Sequence, residues 1–413
     1  MKRIITVCIA LVLLMCMVAG CASKATQSPP NTTTTQSPPN TTTTKDDYKW
    51  PASFVLTCPN TGVQYANFLG WSAVFQKSTG CRTRVIPNDV TSIRAAMVRD
   101  GIVSLDGEPI GSFTYIMEAT TDCNGPDAGP FQVRVGYLST VSVRGYIVRA
   151  DSSIKTIYDI KKGVRIAEPP QAGIKNKNKA LLAWVGLNYD DAVHIQFGNL
   201  DETLTAVADG RCDIVNTGFT GANVMELANN PKGIRVLDLP FKEDPKGAAR
   251  WLAVNPVETL GICDPVNTSI KEAVGTGCID QVYYHFWSAD ADQDLVYHVT
   301  KWFAENYDQF KNQETSLGTM TIENFRKSLD YTPFPVAEGT IRYLKEIGMW
   351  SETDVARQAR NIDQVNKYIA AWEEAKKMAG EQGITIDTKN KQWIDLWENY
   401  KKELKLEPFT VIS

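Results

Sequence analysis

Apolar residues come in short runs separated by polar turns, and the runs change period along the chain. Phe54-Val55-Leu56 reads as a buried strand that stops at Cys58-Pro59-Asn60-Thr61-Gly62. Gln64 to Lys77 has helical spacing, with Tyr65, Phe68, Leu69, Ser72 and Phe75 expected on one face. Arg84-Val85-Ile86 is a second strand, broken by Pro87-Asn88-Asp89, and Thr91 to Arg99 is a second helix for which Asp89 would be the N-cap. A strand–loop–helix unit repeated in this way predicts a parallel α/β sheet with ligand-accessible loops at the carboxyl ends of its strands. Residues 132–149 form a continuous strand-like stretch, long enough to cross between domains. A second α/β unit follows: strand Val164–Ala167, the break Glu168-Pro169-Pro170-Gln171-Ala172-Gly173, a helix over Asn178–Val185, a helix over Asp201–Asp209 and strand Asp213–Asn216. Ile279–Phe286 is a later strand that returns the chain, and Gln293–Phe310 is a helix. Beyond residue 349, Val365, Tyr368, Ile369, Trp372, Ala375 and Met378 repeat at helical spacing, as do Trp393, Leu396, Trp397, Tyr400 and Leu404. Two amphipathic helices packed on the first lobe are expected there.

The first 48 residues follow different rules. Lys2 and Arg3 precede an apolar run from Ile4 to Val18, about 15 residues, short of the roughly 20 that span a bilayer. This is the pattern of an export signal over 1–20. Val18-Ala19-Gly20-Cys21 resembles a bacterial lipobox, in which the cysteine is acylated and the chain is cut before it. Residues 21–48 then read as a lipidated Cys21 and a tether: the segment QSPPNTTTT occurs twice in succession and offers nothing to bury. The expected location is extracytoplasmic, in the periplasm or at the cell surface, with Cys21 holding the protein to a membrane.

The 413 residues carry 43 basic and 47 acidic side chains, a net charge of −4, and 43% apolar residues. That balance suits a globular chain of two or three domains and leaves no basic patch for nucleic acid. Three histidines, none spaced as a metal pair, speak against a metallohydrolase, and no G-x-S-x-G, H-E-x-x-H, phosphate-loop or dinucleotide fingerprint is present. Of nine cysteines, three lie in the first 21 residues. The remaining six are compatible with disulfides in an exported domain, Cys263–Cys278 first and Cys58–Cys81 second.

Several motifs in order resemble the TAXI-type solute-binding proteins, the extracytoplasmic subunits of one class of TRAP transporter. Arg149-Ala150-Asp151-Ser152-Ser153-Ile154-Lys155-Thr156-Ile157-Tyr158-Asp159-Ile160 resembles that family's entry to its second lobe. Thr61-Gly62-Val63-Gln64-Tyr65 is similar to its first glycine loop, Ala208-Asp209-Gly210-Arg211-Cys212-Asp213 to its D-G-x-x-D step, and Pro335-Val336-Ala337-Glu338-Gly339 with Arg342-Tyr343-Leu344-Lys345-Glu346 to its closing motif. The resemblance covers about residues 50–348. It implies a two-lobed periplasmic binding protein of type II-like α/β fold: lobe 1 over 49–141 and 286–348, lobe 2 over 142–285, and a helical extension over 349–413. It also implies capture of an organic acid or amino acid between the lobes and delivery to a TRAP permease, with no catalytic residue, no metal and no cofactor. A stand-alone sensor lipoprotein and a periplasmic hydrolase on the same scaffold are the alternatives.

The expected ligand-binding residues are Asn60, Thr61, Tyr65, Asp89, Thr91 and Ser92 from lobe 1, and Gln171, Thr217 and Phe219 from lobe 2. Gln64 replaces a family Tyr, Asp89 a Ser, Gln171-Ala172-Gly173 a Gly-Ser-Gly and Ala337-Glu338 a His-Pro. The departures fall on the ligand loops, so the family's usual ligand does not transfer. Asp89 would disfavour a carboxylate beside it unless a cation, calcium for instance, lay between.

Overall fold

The computed structural model describes residues 48–410 apart from Thr61, Val266 and Asn267. The export signal, Cys21 and the tether up to residue 47 lie outside the described residues.

The described residues form ten strands: β1 (Ser53–Thr57), β2 (Arg82–Val85), β3 (Leu105–Pro109), β4 (Val133–Arg149), β5 (Arg165–Glu168), β6 (Val193–Gln196), β7 (Val215–Gly218), β8 (Ile234–Leu237), β9 (Thr259–Ile262) and β10 (Gly277–Ser288). The first lobe's sheet runs β2-β1-β3-β10-β4, with β1, β2 and β3 parallel and β10 antiparallel to both its neighbours. In the second lobe β4 continues against β7 and β8, β10 against β9, and the parallel pair β5–β6 joins β7 through a single bridge, Ile166 to Ile214. This is the α/β architecture of a type II periplasmic binding protein, with helices at the C-terminus.

The two long strands β4 and β10 pair with each other from Val133–Ser288 to Arg144–Ile279 and so run through both lobes. Their near-continuous burial, polar residues included, is that of strands covered on both faces. The register shifts twice, between Tyr283 and Tyr284 and between His285 and Phe286, which leaves Ser139 and Gly136 unopposed on β4. Such bulges sharpen twist and re-aim a side chain. Ser139 uses its position to donate to Gln64 Oε1 at 2.8 Å, while its carbonyl accepts from Asn67 Nδ2 at 3.0 Å.

The largest apolar cluster draws on residues 54–138 and 284–409 together with Ala172 and Val257, and two smaller ones draw on 143–279. Trp71, Trp184, Trp287 and Trp302 are buried in these cores, as their apolar surroundings in the sequence suggested. The helix Val63–Thr79 turns differently from its expected face: Gln64, Asn67, Phe68, Trp71, Ser72 and Phe75 are buried, whereas Leu69 is exposed and Tyr65 is half-buried. Small polar residues that bond the bulge, not apolar ones alone, set that face. The expected helix Gln293–Phe310 is interrupted at Asn306, and the helix expected from Asn178 begins at Ala172.

All six described cysteines are buried and free. The parallel register sets Arg82 opposite Ser53. Cys81 therefore sits at the opposite end of β1 from Cys58, and a disulfide between them is geometrically excluded. Cys263, one residue past β9, and Cys278 on β10 are neighbours, as expected, but as hydrogen-bonded thiols.

The C-terminal helices Glu352–Glu381 and Lys391–Glu403 pack on the first lobe, their apolar sides inside its core cluster. Glu118 anchors them. Its carbonyl accepts from Trp397 Nε1 at 2.9 Å and its carboxylate from the Phe409 amide at 2.7 Å. Burial pushes this carboxyl up to about 7, against the Phe409 amide and Lys401, which act the other way. Between its ordinary value of 4.5 and about 7, the folded chain keeps a proton that the unfolded chain releases. The resulting stability, on the order of 3 kcal/mol, is present at low pH and lost as pH rises through 7. Thermal unfolding is therefore expected at higher temperature at pH 5.5 than at pH 7.5. Glu118→Gln should shrink that difference, and an undiminished difference in the variant would refute the assignment.

Candidate functional site: a closed cleft between the lobes

The carboxyl ends of β1 and β3 face the N-termini of lobe 2 helices across a cavity of about 60 Å³. At roughly 10–15 Å³ for each water-sized group, it has room for about five of them. Lobe 1 contributes Gly62, Gln64, Glu108 and Ser112; the through-running strands contribute Arg144 and Tyr283; lobe 2 contributes Gln171, Lys177, Thr217, Thr220 and Asn223.

Each wall is built for close approach. Gly62 precedes the helix Val63–Thr79 with φ of 84°, a left-handed backbone that only glycine adopts freely, and a Cβ there would meet Leu200 at 3.4 Å. Gly145 lets β4 lie on the Phe219 ring, since a Cβ at 145 would fall 2.7 Å from that ring. That contact carries Arg144, next in the chain, at the cavity wall. The helix Ala172–Trp184 directs its first turns at the cavity, so Gln171 and Gly173 line it and Lys177 stands just behind them.

The charges are separated. Arg144 is 6% exposed; its Nη1 donates to Gln281 Oε1 at 3.1 Å, its Nη2 to the Asn216 carbonyl at 3.4 Å, and its Nε has no partner among the described residues. Lys177, fully enclosed, pairs with Glu258 at 2.7 Å, and burial, reinforced by Arg144, brings its ammonium down to about 8. On the lobe 1 wall, Glu108 and Asp106 share one cation, the buried Arg94. Burial raises the Asp106 carboxyl to about 6, against the pull of Arg94, which lowers it. The lobe 1 wall thus sets two carboxyl groups against one guanidinium, and the lobe 2 side sets Arg144 and Lys177 against the single carboxyl of Glu258. Gln64 Nε2 and Thr220 Oγ1 are further buried polar atoms lining the site with no partner among the described residues. Buried orphan groups are costly unless something fills them.

Of the residues expected from sequence, Gln171 and Thr217 line the cavity. Phe219 is fully buried in a lobe 2 core cluster and acts beneath Gly145. Asp89 does not cap its helix, whose N-cap is Val90. Instead it accepts from the Asn60 amide at 3.0 Å and from Asn60 Nδ2 at 2.8 Å, tying the first two loops together. Asn60 and Asp89 thus bond each other, and neither lines the cavity. Tyr65 packs against the lobe 1 core, Thr91 is buried and Ser92 half-buried, none of them at the cavity. Thr61 lies outside the described residues. Gln64, marked in the sequence as a departure on a ligand loop, also lines the cavity, whereas sequence reasoning missed Glu108, Ser112, Arg144, Lys177, Thr220, Asn223 and Tyr283. Arg144 alone carried a signal, as a lone charge inside a long uncharged strand segment.

A model of the NMT1-like family matches residues 134–348. No curated protein sequence matches the chain. Similar solved structures include the periplasmic aliphatic sulphonate binding protein of Escherichia coli, at 10% identity over 77% of this chain and 88% of that one, TM-score 0.35. A binding-protein component of a phosphonate ABC transporter from Pseudomonas aeruginosa is similar at 11% identity over 80% and 99%, TM-score 0.42. MatC of Rhodopseudomonas palustris, with bound malate, is similar at 12% identity over 79% and 99%, TM-score 0.41. None of these likenesses identifies a ligand.

Proposed function

Because the chain belongs to the NMT1-like family, whose pattern spans more than half of it, we propose that it is an extracytoplasmic solute-binding protein whose ligand is a small zwitterion of amino-acid type. The observation that carries the ligand class is the charge separation: an excess of carboxyl groups at Glu108 and Asp106 on one wall, an excess of cationic groups at Arg144 and Lys177 on the other, across about 60 Å³. A carboxylate at Arg144 would take up its orphan Nε–H, and an ammonium at Glu108 would balance the lobe 1 wall. Thr217 and Gln171 would complete the hydrogen bonds to the ligand.

The lipobox at Cys21 and the tether support a membrane-anchored lipoprotein, and the ordered motif resemblance supports delivery to a TRAP-type permease. In this reading lobe closure buries the ligand and offers the permease a changed surface. The reading assigns the chain no chemical step.

A matched trio tests the ligand class: propionate, alanine and ethylamine share a carbon frame and differ in charge. In a thermal-shift assay of residues 49–413, alanine should stabilise the fold well beyond either single-charge compound. At 100 times the dissociation constant the stabilisation is about 2.7 kcal/mol. Affinity should fall as pH rises through about 8, where Lys177 releases its proton. Propionate equalling alanine would replace the zwitterion with a simple carboxylate. No response to any amino acid or carboxylate would overturn the binding reading.

A further inference from the structure

We propose that Tyr115 is a positioning residue that latches the two lobes shut, and that it is wired to the ligand cavity through an unbroken run of buried polar side chains. This inference rests on the binding reading above.

Tyr115 belongs to the lobe 1 helix Ile110–Met117, but both partners of its hydroxyl come from lobe 2. The hydroxyl donates to Asn255 Oδ1 at 2.6 Å and accepts from Asn176 Nδ2 at 2.7 Å. Asn255 then donates through Nδ2 to Glu258 Oε2 at 2.7 Å. Glu258 Oε1 receives Lys177 Nζ at 2.7 Å and also Gln281 Nε2. Gln281 Oε1 in turn accepts from Arg144 Nη1 at 3.1 Å and the Tyr283 hydroxyl at 2.9 Å. Arg144, Lys177 and Tyr283 line the cavity, so one network begins at the ligand position and ends at the inter-lobe contact.

The exposures locate this network at a closed interface. Tyr115 is 6% exposed, Asn176 7%, Asn255 0%, Glu258 2% and Gln281 1%. Beside it the lobes touch through backbone: a Cβ added at Gly173 would meet Ser112 Oγ at 3.3 Å, and one at Gly111 would meet Val257 at 3.0 Å. Among the described residues the Tyr115 hydroxyl bonds nothing in its own lobe, so its two bonds exist only while the lobes are together. A contact made in one conformation and absent from the other shifts the equilibrium between them by its full differential free energy. The ring itself sits in the lobe 1 core, so its loss and the loss of the hydroxyl are separable.

The test uses Tyr115→Phe, which keeps the ring, and Asn176→Ala, which removes one partner from the other lobe. Spin labels at Ile102→Cys and Val193→Cys, native residues 59% and 49% exposed, report the inter-lobe distance, since the described native cysteines are buried. In ligand-free protein both variants should move the distance distribution toward longer values, Asn176→Ala by less because the Tyr115–Asn255 bond survives it, and the double variant should add nothing beyond Tyr115→Phe. With alanine as probe, Tyr115→Phe should raise the dissociation rate about tenfold and leave association within about twofold. Unchanged distances and dissociation, or effects that simply add in the double variant, would overturn the latch. If the wild type binds no amino acid at all, the binding reading fails, while the ligand-free distances still decide the latch on their own.

Discussion

Replacing Arg144 by alanine is expected to weaken ligand binding by about thirtyfold or more, with residues 49–413 still folded. The side chain lies on β4, one of the two long strands that run through both lobes, and its Nε lacks a partner among the described residues. Removing one partner of a buried charge pair costs about 2–5 kcal/mol, and each 1.4 kcal/mol is tenfold. Arg144→Lys keeps the charge but loses the fork that holds Gln281 and the Asn216 carbonyl together, so it should recover only part of the loss. Isothermal titration of the three proteins, with circular dichroism to verify folding, measures the series. A dissociation constant within threefold of wild type in Arg144→Ala would remove Arg144 from the site.

The largest effect on stability is expected at Trp372→Ala, a loss of about 3–5 kcal/mol in urea unfolding. Trp372 is 1% exposed and meets Trp393 and Trp397 edge-on at centroid distances of 5.2 and 5.1 Å. Its ring also closes over Gly129, whose φ of 99° and missing Cβ leave the space it fills. Trp393 Nε1 reaches the Asn124 carbonyl at 2.7 Å, which binds the extension to the segment between the latch helix and β4. The two C-terminal helices are thus part of the lobe 1 core, and the variant should unfold in the same single transition as the parent. A loss below about 1 kcal/mol would mean that the extension is a separable appendage.

The fold was legible where one period dominates. Strands β1, β4 and β10 and the two C-terminal helices stand out because burial on both faces, or on one clear stripe, leaves little ambiguity in the residues. The helix Val63–Thr79 was misread on its facing because Gln64 and Asn67 are buried by bonds to the Ser139 bulge, a long-range event that local spacing cannot carry. The site divides on the same line. Gln171 and Thr217 lie at strand ends, the one position that α/β topology marks for ligands. Lys177 sits more than a turn further on, in a Lys- and Asn-rich stretch that reads as a solvated helix face. Glu108 looks like an ordinary strand residue until Arg94 is seen beside it. The Asn60–Asp89 pair is the reverse case, polar residues at strand ends that serve each other and leave the cavity to their neighbours.

The most direct test is a crystal structure of residues 49–413 grown with the tightest-binding amino acid of the thermal-shift panel. The account predicts one ligand between the lobes, its carboxylate on Arg144 and its ammonium toward Glu108, with the Tyr115 hydroxyl held by Asn176 and Asn255. A ligand bound elsewhere on the molecule, or closed lobes around an empty cavity at saturating amino acid, would contradict it.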